Sequence, residues 1–306
     1  MKNQKAHSSR LLAILLVASL FYQCRSVKNT TVVNDTSYEI VELKITPSST
    51  DKTITHSDVP HLVMYKPSLA QDKLLLFLPG TNGVPERGPK KLFKVAAEQG
   101  YKVINLSYIN NTAVAAICRE ENLETVPDCT EKFRTQRIYG NQLTTWIPDQ
   151  PQDAIVNRLV KLLVHLSEVD KDGNWDVFLG NGAPKWEAIT VSGQSQGGGM
   201  AAFIAKDKKV DRLITFSGGW DFYKKGVIAK WYSSTSATPL NRWYGIYHVE
   251  EPMAETLAKT YEAMAIPESQ IFPLNLKIRE GKKAHGEGIR NIVYKEMWKE
   301  LFTLDK

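Results

Sequence analysis

Apolar and polar positions along this chain alternate between two rhythms. Short, nearly unbroken apolar runs recur at Lys73–Leu78 (KLLLFL), Tyr101–Leu106 (YKVINL), Trp186–Ser192 (WEAITVS), Val210–Phe216 (VDRLITF) and Trp243–His248 (WYGIYH). Continuous runs of this length predict strands buried on both faces. Between them, apolar residues at three- and four-residue intervals predict helices over Lys90–Gln99, Asp153–Val169, Gly197–Lys206, Glu255–Ala265 and Ile289–Phe302. Asp153–Val169 carries the spacing clearly, with Ile155, Val156, Leu159, Leu162, Leu163 and Leu166 on one stripe and Pro151 near its start. Tyr38–Thr46 and His61–Lys66 read as opening strands, and Gln270–Ile278 as a last one. Strand alternating with helix in this way predicts an α/β protein with a parallel sheet covered on both faces.

Two segments break the alternation. Residues 109–150 read as irregular, and residues 218–242 are crowded with Trp220, Phe222, Tyr223, Trp231 and Tyr232. Connections this long in a compact domain are usually lids or binding loops. With 306 residues, 42% of them hydrophobic, the chain can bury a full core.

The first residues follow a different logic. Lys2, Lys5 and Arg10 precede an apolar run from Leu11 to Tyr22, and Cys24 follows. A basic start and a short apolar stretch predict an export signal over residues 1–23, too short for a comfortable membrane span. Cys24 stands where a lipid-bearing first residue would anchor an exported protein to a membrane, although Phe21-Tyr22-Gln23 lack the small residue usual before it. Residues 24–37 then read as a tether, and 38–306 as the folded domain. The expected placement is periplasmic, on the outer membrane, or secreted. Losing the signal lowers the formal charge from +6 to +3, so the charge gives no reason to expect a nucleic-acid partner. Lys206-Asp207-Lys208-Lys209 reads as a solvated helix end. In an oxidising compartment Cys118 and Cys129 form a candidate disulfide pair.

The chemistry centres on Gly193-Gln194-Ser195-Gln196-Gly197, a G-x-S-x-G pattern between a buried run and a Gly-rich helix start, Gly197-Gly198-Gly199. A serine on so sharp a strand-to-helix turn is exposed, larger neighbours two residues away would clash, and the helix amides face any developing oxyanion. Gly83–Gly88 has phosphate-loop spacing but is followed by Pro89-Lys90 rather than Lys-Ser or Lys-Thr, and no HExxH sequence or Cys/His cluster suggests a metal. No cofactor is expected.

Over about residues 60–302 the chain resembles the α/β-hydrolase superfamily. The resemblance rests on this elbow, on the Pro79-Gly80-Thr81-Asn82 turn after an early strand, and on the order of candidate triad residues. It implies a mostly parallel sheet of about eight strands flanked by helices, with lid insertions near 109–150 and 218–242. The nucleophile Ser195 would follow the fifth strand, and acid and then histidine would come later in the chain.

Only His248 and His285 follow Ser195. His285 lies in a polar loop and is the preferred base, whereas His248 ends an apolar strand, where a structural histidine is at least as fitting. For the acid, Glu251 before Pro252 matches best, with Glu250 beside it and Asp221 after the preceding strand as alternatives. The oxyanion donors would be the amide of Gln196 and that of Thr81 or Asn82. The expected activity is hydrolysis of a carboxylic ester of a small molecule through an acyl-enzyme. A peptidase, an acyltransferase or a catalytically silent binding protein of the same fold are the alternatives.

Overall fold

A computed structural model describes residues 40–126 and 128–303. The leader-like stretch, Cys24 and the whole of the tether lie outside the described residues. Eight strands form one sheet: β1 (Val41–Ile45), β2 (His61–Tyr65), β3 (Leu74–Leu78), β4 (Lys102–Asn105), β5 (Ile189–Gln194), β6 (Arg212–Phe216), β7 (Trp243–His248) and β8 (Ile271–Leu274). Their order across the sheet is β1-β2-β4-β3-β5-β6-β7-β8. β2 pairs antiparallel with both neighbours and the remaining pairs are parallel.

Alternate residues of the apolar runs go to opposite faces. Leu74, Leu76 and Leu78 of β3 join one core, with α2 (Cys129–Tyr139), α3 (Ile155–Val169) and α4 (Gln196–Asp207) packed over it. Leu75 and Phe77 join a second core on the other face, against α1 (Lys90–Glu98) and α6 (Lys295–Leu301). Each buried leucine contributes on the order of 1.5–3 kcal/mol, which is why a strand buried on both faces needs no polar alternation. A further helix, α5 (Ala254–Ala263), turns Leu257 and Tyr261 into the first core.

Register sets where the loops open. Leu78 of β3 pairs with Gly193 of β5, Gln194 with Phe216 of β6, Phe216 with Ile246 of β7, and His248 with Leu274 of β8. The turns that leave these five strands therefore gather along one edge of the sheet, where ligands of α/β folds bind.

Several expectations need correction. Residues 109–150 hold helices at Val114–Ile117, Glu120–Thr125 and α2. The pattern of α2 hid it because Thr130, Arg134, Gln136 and Arg137 are among its buried residues. Residues 218–242 contain a small hairpin, Phe222–Lys224 with Val227–Ile228, and Trp231 and Tyr232 are buried in the core. The last strand stops at Leu274, one residue beyond Pro273, which has no amide to give a ladder. The closing helix is interrupted where the Asn291 side chain accepts from the Val293 amide, and α6 starts only at Lys295. Lys206 is no solvated end: it is half-buried, donates to the Ser234 carbonyl at 2.6 Å, and burial pulls its pKa down to about 8. Among the described residues, no helix is long and apolar enough to cross a membrane.

Candidate active site

Ser195 sits where β5 becomes α4, with φ 58° and ψ −124°. A residue with a side chain rarely occupies that region, and holding it there costs on the order of 1–3 kcal/mol. The surroundings impose it. The Ser195 amide donates to the Phe216 carbonyl at 2.9 Å, and its own carbonyl receives the first helical bond, from Gly199, at 3.1 Å. Glycine at 197 is required by close approach, since a Cβ there would run into the Leu78 carbonyl of β3.

Glu251 and His285 come from the loops after β7 and β8, further along the same edge. Glu251 follows β7, and His285 lies in a short helical turn, Ala284–Gly286, after β8. The His285 Nδ1 is 2.5 Å from Glu251 Oε2, with the histidine side chain 34% exposed and the carboxylate 2% exposed. Facing a carboxylate, Nδ1 carries the proton, so Nε2 is the basic nitrogen. The other carboxylate oxygen, Oε1, accepts from the Ser217 hydroxyl at 2.6 Å and the His248 amide at 2.8 Å. Burial by itself would raise the Glu251 pKa. The hydrogen bonds from His285, the His248 amide and Ser217 outweigh it and hold the carboxyl below its ordinary value.

His285 is also tied to the elbow. The Gln194 side-chain amide donates to the His285 carbonyl at 3.0 Å, joining the residue before the serine to the histidine loop. Trp220 lies beside the imidazole, ring centroids 5.5 Å apart.

The competing candidates have other partners. Glu250 is exposed. Asp221 is buried in a bidentate pair with Arg134 (2.6 and 2.7 Å) and also accepts from Trp231 Nε1 at 3.0 Å. His248 is buried, with Nδ1 accepting from the Glu250 amide and Nε2 facing the Leu276 carbonyl at 2.8 Å. On the loop after β3, the Asn82 amide is already engaged, donating to the Asn110 carbonyl at 3.0 Å. Gln196 opens α4, its main-chain amide among those without a helical partner.

Trp220 falls in the aromatic segment that the sequence marked as a lid or binding loop, whereas the roles of Ser217, Gln194 and Asn110 were not anticipated from the sequence. Ser217 carries one local signal, its place directly after the β6 apolar run. Cys118 and Cys129 are joined by a disulfide that ties the start of α2 to the residue after the helix Val114–Ile117.

No family model and no curated protein matches this chain. Among solved structures, an S-formylglutathione hydrolase from Agrobacterium tumefaciens superimposes with a TM-score of 0.52 at 12% identity, covering 90% of this chain and 98% of that one. Thermogutta terrifontis esterase 2 gives 0.45 at 13% identity, over 85% and 91% of the two chains. An alpha-beta serine hydrolase homologue from Coxiella burnetii gives 0.43 at 12%, over 89% and 96%.

Proposed function

We propose that this chain, whose fold is that of the α/β-hydrolases, is a serine hydrolase that cleaves a carboxylic ester. The observation that carries the proposal is the buried Glu251 carboxylate on His285 Nδ1, with the same histidine loop latched to the residue before the strained Ser195.

Glu251 holds the imidazole in the tautomer whose Nε2 can take a proton, and stays ionised because three donors converge on it. His285 accepts the Ser195 hydroxyl proton as the oxygen attacks the ester carbonyl. The Gln196 and Thr81 amides receive the charge that builds on the carbonyl oxygen, helped by the positive end of α4. Collapse of that intermediate breaks the bond to the alcohol, which leaves with the proton from His285. Water then repeats the sequence, giving up a proton to His285, and frees the acid product from Ser195. Trp220, beside the imidazole, would form part of the apolar wall of the binding site.

The disulfide fits an oxidising compartment, in keeping with the export proposed from the basic and apolar N-terminal stretch and with Cys24 as the point of lipid attachment.

The test is labelling by a fluorophosphonate probe, with Ser195→Ala and His285→Ala as comparisons. The wild type should label and both variants should not. A folded wild type that stays unlabelled would overturn the hydrolase reading and favour a silent binding protein. Panels of p-nitrophenyl esters, anilides and acyl acceptors then separate esterase from peptidase and acyltransferase.

A further inference from the structure

The turn that carries Thr81 is held by one side chain outside it. From the segment that follows β4, Asn110 donates through Nδ2 to the Gly80 carbonyl at 2.9 Å and to the Gly83 carbonyl at 2.8 Å. The Asn110 carbonyl accepts from the Asn82 amide at 3.0 Å, and the turn is closed by Gly83 donating to Gly80 at 2.9 Å. Two residues earlier the Tyr108 hydroxyl donates to the Pro79 carbonyl at 2.7 Å. Asn110 is buried, and two of its polar groups, Nδ2 and the main-chain carbonyl, make three hydrogen bonds to three residues of a four-residue turn. Asn82, in the middle, is held at φ 58°.

This turn lies directly against the nucleophile. A Cβ on Gly80 would stand 2.7 Å from the Gln194 side-chain oxygen and 3.0 Å from Ser195 Cβ. Further along the chain, the first residue of the helix Val114–Ile117 reaches Gln196, whose side-chain oxygen accepts from the Val114 amide at 2.9 Å.

We propose that Asn110 is a positioning residue of the oxyanion hole, acting through the main-chain amide of Thr81. The proposal rests on the serine-hydrolase reading. An oxyanion donor works only within about 2.7–3.1 Å of the place where charge develops, so a small rotation of the Gly80–Thr81 peptide removes it. The Gly80 carbonyl belongs to the same peptide unit as the Thr81 amide, and the bond from Asn110 fixes that unit's rotation. An asparagine side chain supplies two donor hydrogens for two carbonyls. Aspartate has the same shape and none, and so turns two attractions into repulsions.

The experiment compares Asn110→Asp and the milder Asn110→Ser with wild type and with Asn111→Ala, an exposed neighbour that should leave activity unchanged. The readouts are kcat and KM on p-nitrophenyl acetate, inhibition by phenylboronic acid, fluorophosphonate labelling and thermal unfolding. Loss of one oxyanion donor costs about 100- to 1,000-fold in kcat. Displacement by Asn110→Asp should cost about 10- to 100-fold, with KM within about threefold and boronate affinity falling in step with kcat. Thr81→Pro, which deletes the amide, should lose activity to at least the same extent, and adding Asn110→Asp to it should cost little more. A folded Asn110→Asp or Asn110→Ser with kcat and boronate affinity within about threefold of wild type overturns the proposal while labelling of wild type upholds the hydrolase reading. Additive losses in the double variant also overturn it. An unlabelled wild type removes both.

Discussion

Replacing Glu251 by glutamine tests how the three candidate acids divide. The carboxylate meets three donors: Ser217 and the His248 amide on one oxygen, His285 Nδ1 on the other. A glutamine offers one oxygen and one NH2 group. Its oxygen should keep the pair of donors on the Oε1 side, because the reverse orientation would set the NH2 against a backbone amide. The NH2 then faces His285 Nδ1, which must become the acceptor, and the ring proton moves to Nε2, where it blocks uptake of the serine proton. Loss of the acid in this way costs about 10⁴-fold in kcat, on the order of 5 kcal/mol of barrier. The fold should survive, since the hydrogen bonds weakened are worth about 1–3 kcal/mol. The assay is kcat on p-nitrophenyl acetate for Glu251→Gln, Glu250→Gln and Asp221→Asn, with urea unfolding of each. Glu250→Gln should stay within about twofold of wild type. Asp221→Asn should chiefly lower stability, by about 3–5 kcal/mol, because it leaves the buried Arg134 uncompensated. Glu251→Gln keeping more than a tenth of wild-type kcat, or Asp221→Asn losing activity while equally stable, would refute the assignment.

His61 is fully buried, and desolvation together with Arg158 pulls its pKa from 6.5 down to about 3. The unfolded chain takes up this proton below about pH 6.5 and the folded one refuses it until about pH 3. Stability should therefore fall by about 2 kcal/mol from pH 7 to pH 5 on this account alone, and His61→Gln should remove that share of the slope in urea unfolding. Ser195→Gly should abolish activity while raising stability by about 1 kcal/mol, because glycine relieves the positive φ; Ser195→Ala should abolish activity without that gain. Replacing Cys118 and Cys129 by serine frees a loop of 11 residues' separation and should cost about 2–3 kcal/mol in chemical denaturation.

The sheet was legible because β3, β4, β5, β6 and β7 are mostly buried on both faces and so are written as nearly unbroken apolar runs. The elbow was legible because its close approach to β3 demands glycine, a constraint local enough to appear as a motif. The acid remained one of three, since only contact across loops separates Glu251 on His285 from Asp221 on Arg134, a partner 87 residues away. α2 was missed because its interior face is lined with arginines paired to Asp221 and Asp149, so burial there has no apolar signature. Asn110 was invisible for a related reason: a single side chain that satisfies carbonyls on a distant turn leaves no period and no spacing.

The bond from Gln194 to the His285 carbonyl spans 91 residues of sequence. A ribosome adding about 5–20 residues per second produces the serine roughly 5–20 s before the histidine. During that interval a nascent chain can build β1 to β5 and the elbow but lacks the residue proposed to activate it. The base arrives with β8, an edge strand of four residues that pairs only with β7. On the proposed mechanism, hydrolytic competence becomes a late signal of synthesis, and the yield of activity would count chains whose C-terminal segment has docked, a stricter measure of folding than the appearance of the sheet.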